Sequence, residues 1–297
     1  MSITIGVHGA NPSLYHLSRL GILEELLEPL GESVSWLPVG GTSTGDALAD
    51  GTIDFGGTGS TPPLSAQAAG HDLVYTAVSA PRPGHGALLV AADGPVTGVA
   101  DLKGGTVVLA VGSWQTHFSA KALAGAGLSY RDITAERPAP GQDNAARLRS
   151  GEIAGWVAQG AELAAARREG GVRTLLEAGD VITDRSVFFT RRDFAEQRPE
   201  LVAVITTALQ RADDWAAGHL TEAATIAAGD QGGSAEDWRE ALAVLPWRLE
   251  PVSDAFVAEQ QEAADILADG GYLARRITVA DAHLPALTPA VRAALEG

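Results

Sequence analysis

The chain has 297 residues, 45% apolar and 20% charged, with a net charge of −16. That length asks for one large or two medium domains, and the acidity argues against nucleic acid or an anionic membrane surface as partner, since both demand basic patches. Cysteine is absent, which removes disulfides, thiolate metal sites and cysteine nucleophiles together.

In chain order one unit recurs: a short β-branched run, a Gly/Ser/Thr turn, then a helix. The first strand is predicted over 3–7, with a turn over 8–12 and a helix over 13–27. The second unit takes strand 33–39, turn 40–45 and helix 46–50. The third takes 52–56, 57–61 and 62–69; Ser60 or Thr61 can cap its helix, Pro62 and Pro63 suit a first turn, and Gly70 stops it. The fourth takes 106–111, Gly112-Ser113 and 114–124. The fifth takes 152–157, Ala158-Gln159-Gly160 and 161–169. Beyond about residue 191 helices dominate, over 194–218, 220–229, 235–244 and 253–270. Alternating strands and helices predict an α/β fold with parallel sheets covered on both faces. Two strand-like runs, 87–91 and 186–190, flank the middle third and read as crossovers. They divide the chain into a discontinuous lobe, 1–90 plus 187–297, and a second lobe, 91–186.

No segment approaches the ~20 apolar residues of a membrane span, so no membrane insertion is expected. The first strand begins almost at Met1. A cytoplasmic location is expected if Met1 is the natural start, and an extracytoplasmic one if a leader was removed.

Ligands of open parallel sheets bind beyond the carboxyl ends of the strands. There each helix start offers free N–H groups and the positive end of a dipole. Several such ends converging on one cleft make an anion site without a lysine. Other motifs are weaker. Gly41-Thr42-Ser43-Thr44-Gly45 fits the G-x-S-x-G pattern of a nucleophile elbow, but no HGGG run lies upstream. No P-loop or G-x-G-x-x-G supports a nucleotide cofactor, and the seven histidines contain no H-E-x-x-H pair for a metal. Trp114, Trp156 and His117 sit at or beside the turns of the second lobe, where a ring could wall off an organic tail. A core role is equally open to Trp156.

The stretch from Asp46 through Asp54-Phe55-Gly56-Gly57-Thr58-Gly59-Ser60-Thr61-Pro62-Pro63, followed by Ala66-Gln67-Ala68-Ala69-Gly70, resembles the aliphatic-sulfonate, nitrate and taurine-binding proteins of ABC importers. So do Val99-Ala100-Asp101-Leu102-Lys103-Gly104, Gly112-Ser113 with His117, Gly127-Leu128, Arg192-Asp193-Phe194, and Glu259-Gln260-Gln261 through Asp265. The resemblance covers nearly the whole chain. It implies a type II periplasmic-binding-protein fold whose two lobes close on a ligand. The chain departs from the family pattern at Ser60, where an Asp is usual, and at Ala158-Gln159-Gly160, where Trp-Asp-Pro is common. A more distant similarity, through Gly112-Ser113-Trp114, is to the biphenyl sulfinate desulfinase. That enzyme's cysteine chemistry cannot be carried over to a chain without cysteine.

The leading expectation is therefore a binding protein, with no cofactor, for a small organic anion, most simply a sulfonate, with an ABC permease as partner. Asn11, Gly59, Ser60 and Thr61 would contribute from the first lobe. Ser113, Trp114, Gln115, Trp156 and Gln159 would contribute from the second. The alternative is a cytoplasmic enzyme on the same fold, in which His8 or His117, which could face each other across the cleft, would be the general acid–base.

Overall fold

The computed structural model describes residues 2–296. Its frame is two sheets, one of six strands and one of five. Strands β1 (Ser2–Val7), β2 (Ser33–Pro38), β3 (Phe55–Thr58) and β4 (Leu73–Ser79) belong to the first sheet. Strands β5 (Gly86–Ala91), β6 (Thr106–Val108), β7 (Thr134–Glu136), β8 (Gly155–Gln159) and β9 (Val172–Glu177) form the second, and β10 (Val187–Arg191) and β11 (Leu249–Pro251) return to the first. The spatial orders are β11-β4-β10-β3-β1-β2 and β7-β6-β8-β5-β9.

Pairing of β1 with β2 and β3 is parallel, as is pairing of β6 with β7 and β8. In contrast, β10 runs antiparallel to β3 and β4, and β5 antiparallel to β8 and β9. Strand β11 is also antiparallel to β4, so four of the six strands of the first sheet and four of the five of the second run in one direction, and the two reversed strands inside the sheets share a cause. Strands β5 and β10 each arrive directly from the other sheet, with no covering helix to return the chain to the parallel sense.

These are the two runs expected to be crossovers. They are instead strands inside the sheets, with Ala87, Leu89 and Phe188 fully buried. An apolar strand is stabilised by sheet contacts on both faces, so the passages fall just before them, at 80–85 and 181–186. The first passage reads Ala-Pro-Arg-Pro-Gly-His and the second Val-Ile-Thr-Asp-Arg-Ser.

Among the described residues thirteen α-helices flank the sheets: α1 (Pro12–Leu20), α2 (Ile22–Leu27), α3 (Thr44–Ala49), α4 (Thr61–Ala69), α5 (Trp114–Gly125), α6 (Asn144–Arg149), α7 (Gly160–Glu169), α8 (Arg192–Gln197), α9 (Pro199–Gly218), α10 (Leu220–Gln231), α11 (Ala235–Ala243), α12 (Asp254–Asp269) and α13 (Thr288–Glu296). Two expected long helices are broken. Gly21 adopts a left-handed φ of 70° between α1 and α2. Pro199 lacks the N–H that would continue α8 into α9. Strands β3 and β8 start later than predicted because each follows the same turn. Gly51 and Gly151 take φ of 77° and 74°, and Ile53 and Ile153 are buried behind them. Strand β4 escaped the sequence reading. All seven of its residues are buried, so it lacks the alternation that marks a one-sided strand.

Neighbouring residues of one strand feed opposite faces, as the two-residue period requires. Phe188 joins the core under α1, α2, α9 and α13, and Phe189 the core under α4 and α12. In the second sheet Leu88 and Val157 pack with α5, while Leu89 and Trp156 pack with α6 and α7. Among the described residues no helix is long and apolar enough to cross a membrane.

Candidate ligand-binding cleft

A cavity of ≈ 430 Å³ opens at the carboxyl ends of strands from both sheets. All five strand-to-helix turns reach it. His8 and Ala10 follow β1, Gly41 and Thr42 follow β2, and Thr58 and Gly59 end β3. Across from them, Ala110, Val111 and Ser113 follow β6, and Trp156, Val157 and Gln159 belong to β8. Parallel strands share a direction, so their following helices present N-termini at one end, and the two sheets bring these ends together.

The helix α5 terminus is the best defined. Ser113 is its N-cap and accepts a hydrogen bond from Gln115 N. Behind it the side chains interlock. Gln159 Oε1 accepts from Trp114 Nε1 at 2.7 Å and from Gln115 Nε2 at 3.0 Å, while Gln115 Oε1 accepts from Ala110 N at 2.7 Å. This network pins the Trp114 indole as a wall. The indole's position requires glycine at two points beside it. A Cβ on Gly59 would lie 2.7 Å from Trp114 Cβ, and one on Gly86 2.5 Å from its ring. At α4 the geometry differs, because Pro62 and Pro63 carry no N–H and leave the donors before them to serve that turn.

His8 donates from Nε2 to Gly57 O at 2.9 Å, which leaves Nδ1 as the acceptor nitrogen of the neutral ring. Burial pushes its pKa down, so the ring is neutral at pH 7.

Two arginines line the cavity that the element pattern did not single out. Arg137 lies at its exposed rim and donates from Nη1 to Val111 O at 2.6 Å. Arg82 stands on the first passage between the sheets and is only 4% exposed. Its Nη1 donates to Ser186 Oγ at 2.9 Å and its Nη2 to Asp184 Oδ1 at 3.1 Å, both on the second passage. Its buried Nε has no partner among the described residues. Burial pushes the Asp184 carboxyl up, but Arg82 and His85 outweigh it and hold the group below the usual carboxylate range. His85 is pushed down by burial and by Arg82, so its 2.9 Å contact with Asp184 Oδ2 is a hydrogen bond from a neutral ring rather than an ion pair. The signal available in the sequence was Arg82 between two prolines, a charged residue held in a rigid loop.

Of the residues singled out from sequence, His8, Gly59, Ser113, Trp114, Gln115, Trp156 and Gln159 line the cavity. Asn11, Ser60, Thr61 and His117 do not. Asn11 caps α1 by accepting from Leu14 N. Thr61 is fully buried, and Ser60 makes no side-chain cap. Instead the Ser60 hydroxyl and His117 Nδ1 are hydrogen-bonded at 3.1 Å, and both face a separate recess of ≈ 40 Å³. His117 therefore does not face His8. It lies one turn into α5, where the helical rotation carries it to the α4 and α12 side. Ser43, of the elbow-like motif, is exposed and bonded to no histidine among the described residues.

His16 and His117 are both pushed down to about 4, chiefly by burial. Unfolded histidine titrates near 6.5, so the stability tied to the neutral rings is fully present above that value and lost as pH falls through about 4. Comparing urea unfolding at pH 7 and pH 4, His117→Gln is expected to lose less stability than the wild type, by on the order of 2 kcal/mol. Asp213, pushed up to about 7 by burial, works in the opposite direction but equally in both proteins. An identical loss in the two would place the acid sensitivity elsewhere.

Residues 34–223 match the family described as NMT1/THI5 like. The chain belongs to this family. It is 31% identical over 248 residues to a relative from Escherichia coli (strain K12) named for binding aliphatic sulfonates, covering 83% of this chain and 77% of the relative. Among solved structures, the alkanesulfonate-binding protein SsuA from Xanthomonas axonopodis pv. citri, bound to MOPS, superposes with a TM-score of 0.83 at 28% identity, over 95% of this chain and 98% of that one. The periplasmic aliphatic sulphonate binding protein SsuA from Escherichia coli gives the same TM-score and identity, over 94% of this chain and 95% of that one. The desulfurization enzyme DszB shares the fold, with a TM-score of 0.67 at 18% identity over 99% of each chain.

Proposed function

We propose that this NMT1/THI5-like protein is the substrate-binding component of an ABC importer for organosulfonates, working outside the cytoplasm and delivering its ligand to a permease. The observation that carries the reading is the convergence of five strand-to-helix turns and two arginines on one cavity walled by Trp114 and Trp156. A sulfonate has three equivalent oxygens around one sulfur, which suits donors arriving from several directions. The attached carbon then meets the indole walls. Relatives named for sulfonate binding support the same choice. Calorimetry with ethanesulfonate, butanesulfonate and benzenesulfonate tests it. Saturable binding of these, and weaker binding of the matching carboxylates, is expected. No binding of any sulfonate would overturn the assignment.

Closure about the passages at 80–85 and 181–186 belongs to this reading, since a few residues between two bodies absorb a hinge rotation. Small-angle scattering is expected to show a smaller radius of gyration at saturating ligand. An unchanged radius would mean a rigid pocket.

The enzymatic alternative now has one histidine at the cavity, His8. For a receptor, His8→Ala should change sulfonate affinity little, because the neutral ring's proton is held by Gly57 O and its free Nδ1 can only accept, as can a sulfonate oxygen, and no sulfite should be released from sulfonates or sulfinates. Sulfite release that His8→Ala abolishes would make the cleft an active site.

A further inference from the structure

A second cavity, of ≈ 400 Å³, adjoins the first. Ala10, Gln159 and Glu162 line both, so the two spaces share a wall rather than lying apart. The second lies between α7 and the α10–α11 hairpin, which pack together across it. Arg168 on α7 is ion-paired to Asp237 on α11, closing the outer side.

The two cavities differ in charge. The first holds Arg82 and Arg137 beside the shared Glu162; the second has no lysine or arginine in its lining, and its acidic groups are the shared Glu162 and Asp237, the latter paired with Arg168. Glu162 has neither a hydrogen bond nor an ion pair among the described residues, and burial pushes its carboxyl up. Such a space offers a sulfonate no cation. Its remaining wall is largely apolar. Ala161 and Ala165 repeat along one face of α7, and Trp238, Ala241, Leu242 and Leu245 along one face of the α11 segment. The Trp238 indole is fixed there by donating from Nε1 to Gly232 O at 2.8 Å.

From this division we infer that the second chamber is the tail subsite of the same ligand: the anionic head sits in the first cavity, and an apolar tail passes Gln159 and Glu162 to lie against Trp238. The inference rests on the organosulfonate reading and narrows it to sulfonates with long or bulky tails. Linear alkanesulfonates from ethanesulfonate to decanesulfonate, titrated calorimetrically, test it. Each methylene that reaches the second chamber should tighten binding roughly fourfold. Ala241→Trp, which fills the chamber from an α11 position, should stop that gain for long tails and leave ethanesulfonate affinity unchanged. Trp238→Ala should weaken decanesulfonate and spare ethanesulfonate. A wild-type affinity that stays flat beyond butanesulfonate, with ethanesulfonate still bound, would overturn the tail subsite alone, as would equal losses for short and long tails in both variants. Failure of every sulfonate to bind would overturn the functional reading itself and the subsite with it.

Discussion

Ser113→Asp is expected to weaken sulfonate binding several hundred-fold or more while leaving the protein folded. Ser113 lines the first cavity and caps α5. Aspartate is as good an N-cap as serine, so the helix and the Trp114–Gln159–Gln115 network behind it keep their support. What changes is charge. A carboxylate would stand where the ligand's sulfonate should sit, and two unit charges about 4 Å apart at an effective dielectric near 20 repel by roughly 4 kcal/mol. Calorimetry measures the affinity, and thermal unfolding of the unliganded variant checks the fold. If Ser113→Asp binds sulfonates as well as the wild type, the anion is held elsewhere.

Arg82→Ala is expected to lower the unfolding free energy by about 3–5 kcal/mol, because it strands the Asp184 carboxylate in a buried site. Asp184 is only 5% exposed and holds an unusual positive φ of 33°. Among the described residues its two oxygens are satisfied by Arg82 and His85 alone. The same substitution removes the only buried cation among the described residues of the cavity lining, so sulfonate affinity should fall as well. Arg82→Ala combined with Asp184→Ala should recover much of the lost stability, since no unpaired charge then remains, but none of the lost affinity. Urea unfolding of the two single variants and the double variant gives the coupling. A near-zero stability loss for Arg82→Ala would mean that Asp184 is neutral or hydrated, and that the passages are not tied by this pair.

The β-branched runs, the glycines and prolines between them, and the helical periods were enough to place the strand-to-helix units in order. Such signals are local: Gly70 ends α4 and Ser113 begins α5 whatever lies around them. From the order of the units followed a mostly parallel sheet, and from the sheet the end at which a ligand would bind. Strand β4 was not legible because burial on both faces leaves no alternation to read. The ends of β3 and β8 were not legible because the Gly51 and Gly151 turns delay the strands.

Tertiary structure alone decided which side chains of each turn meet the cleft. Thr61 and Ser60 lie in the expected turn, yet Thr61 is buried and Ser60 is turned to His117, 57 residues away. Arg82, in no regular element, reaches the cavity because Asp184 and Ser186, 102 and 104 residues later, hold it there. The sequence by itself determined the elements and the end of the sheets where the site lies, since those depend on neighbours within a few residues. The identity of the lining depended on contacts between segments far apart in the chain, and no local pattern records the direction in which a side chain is packed.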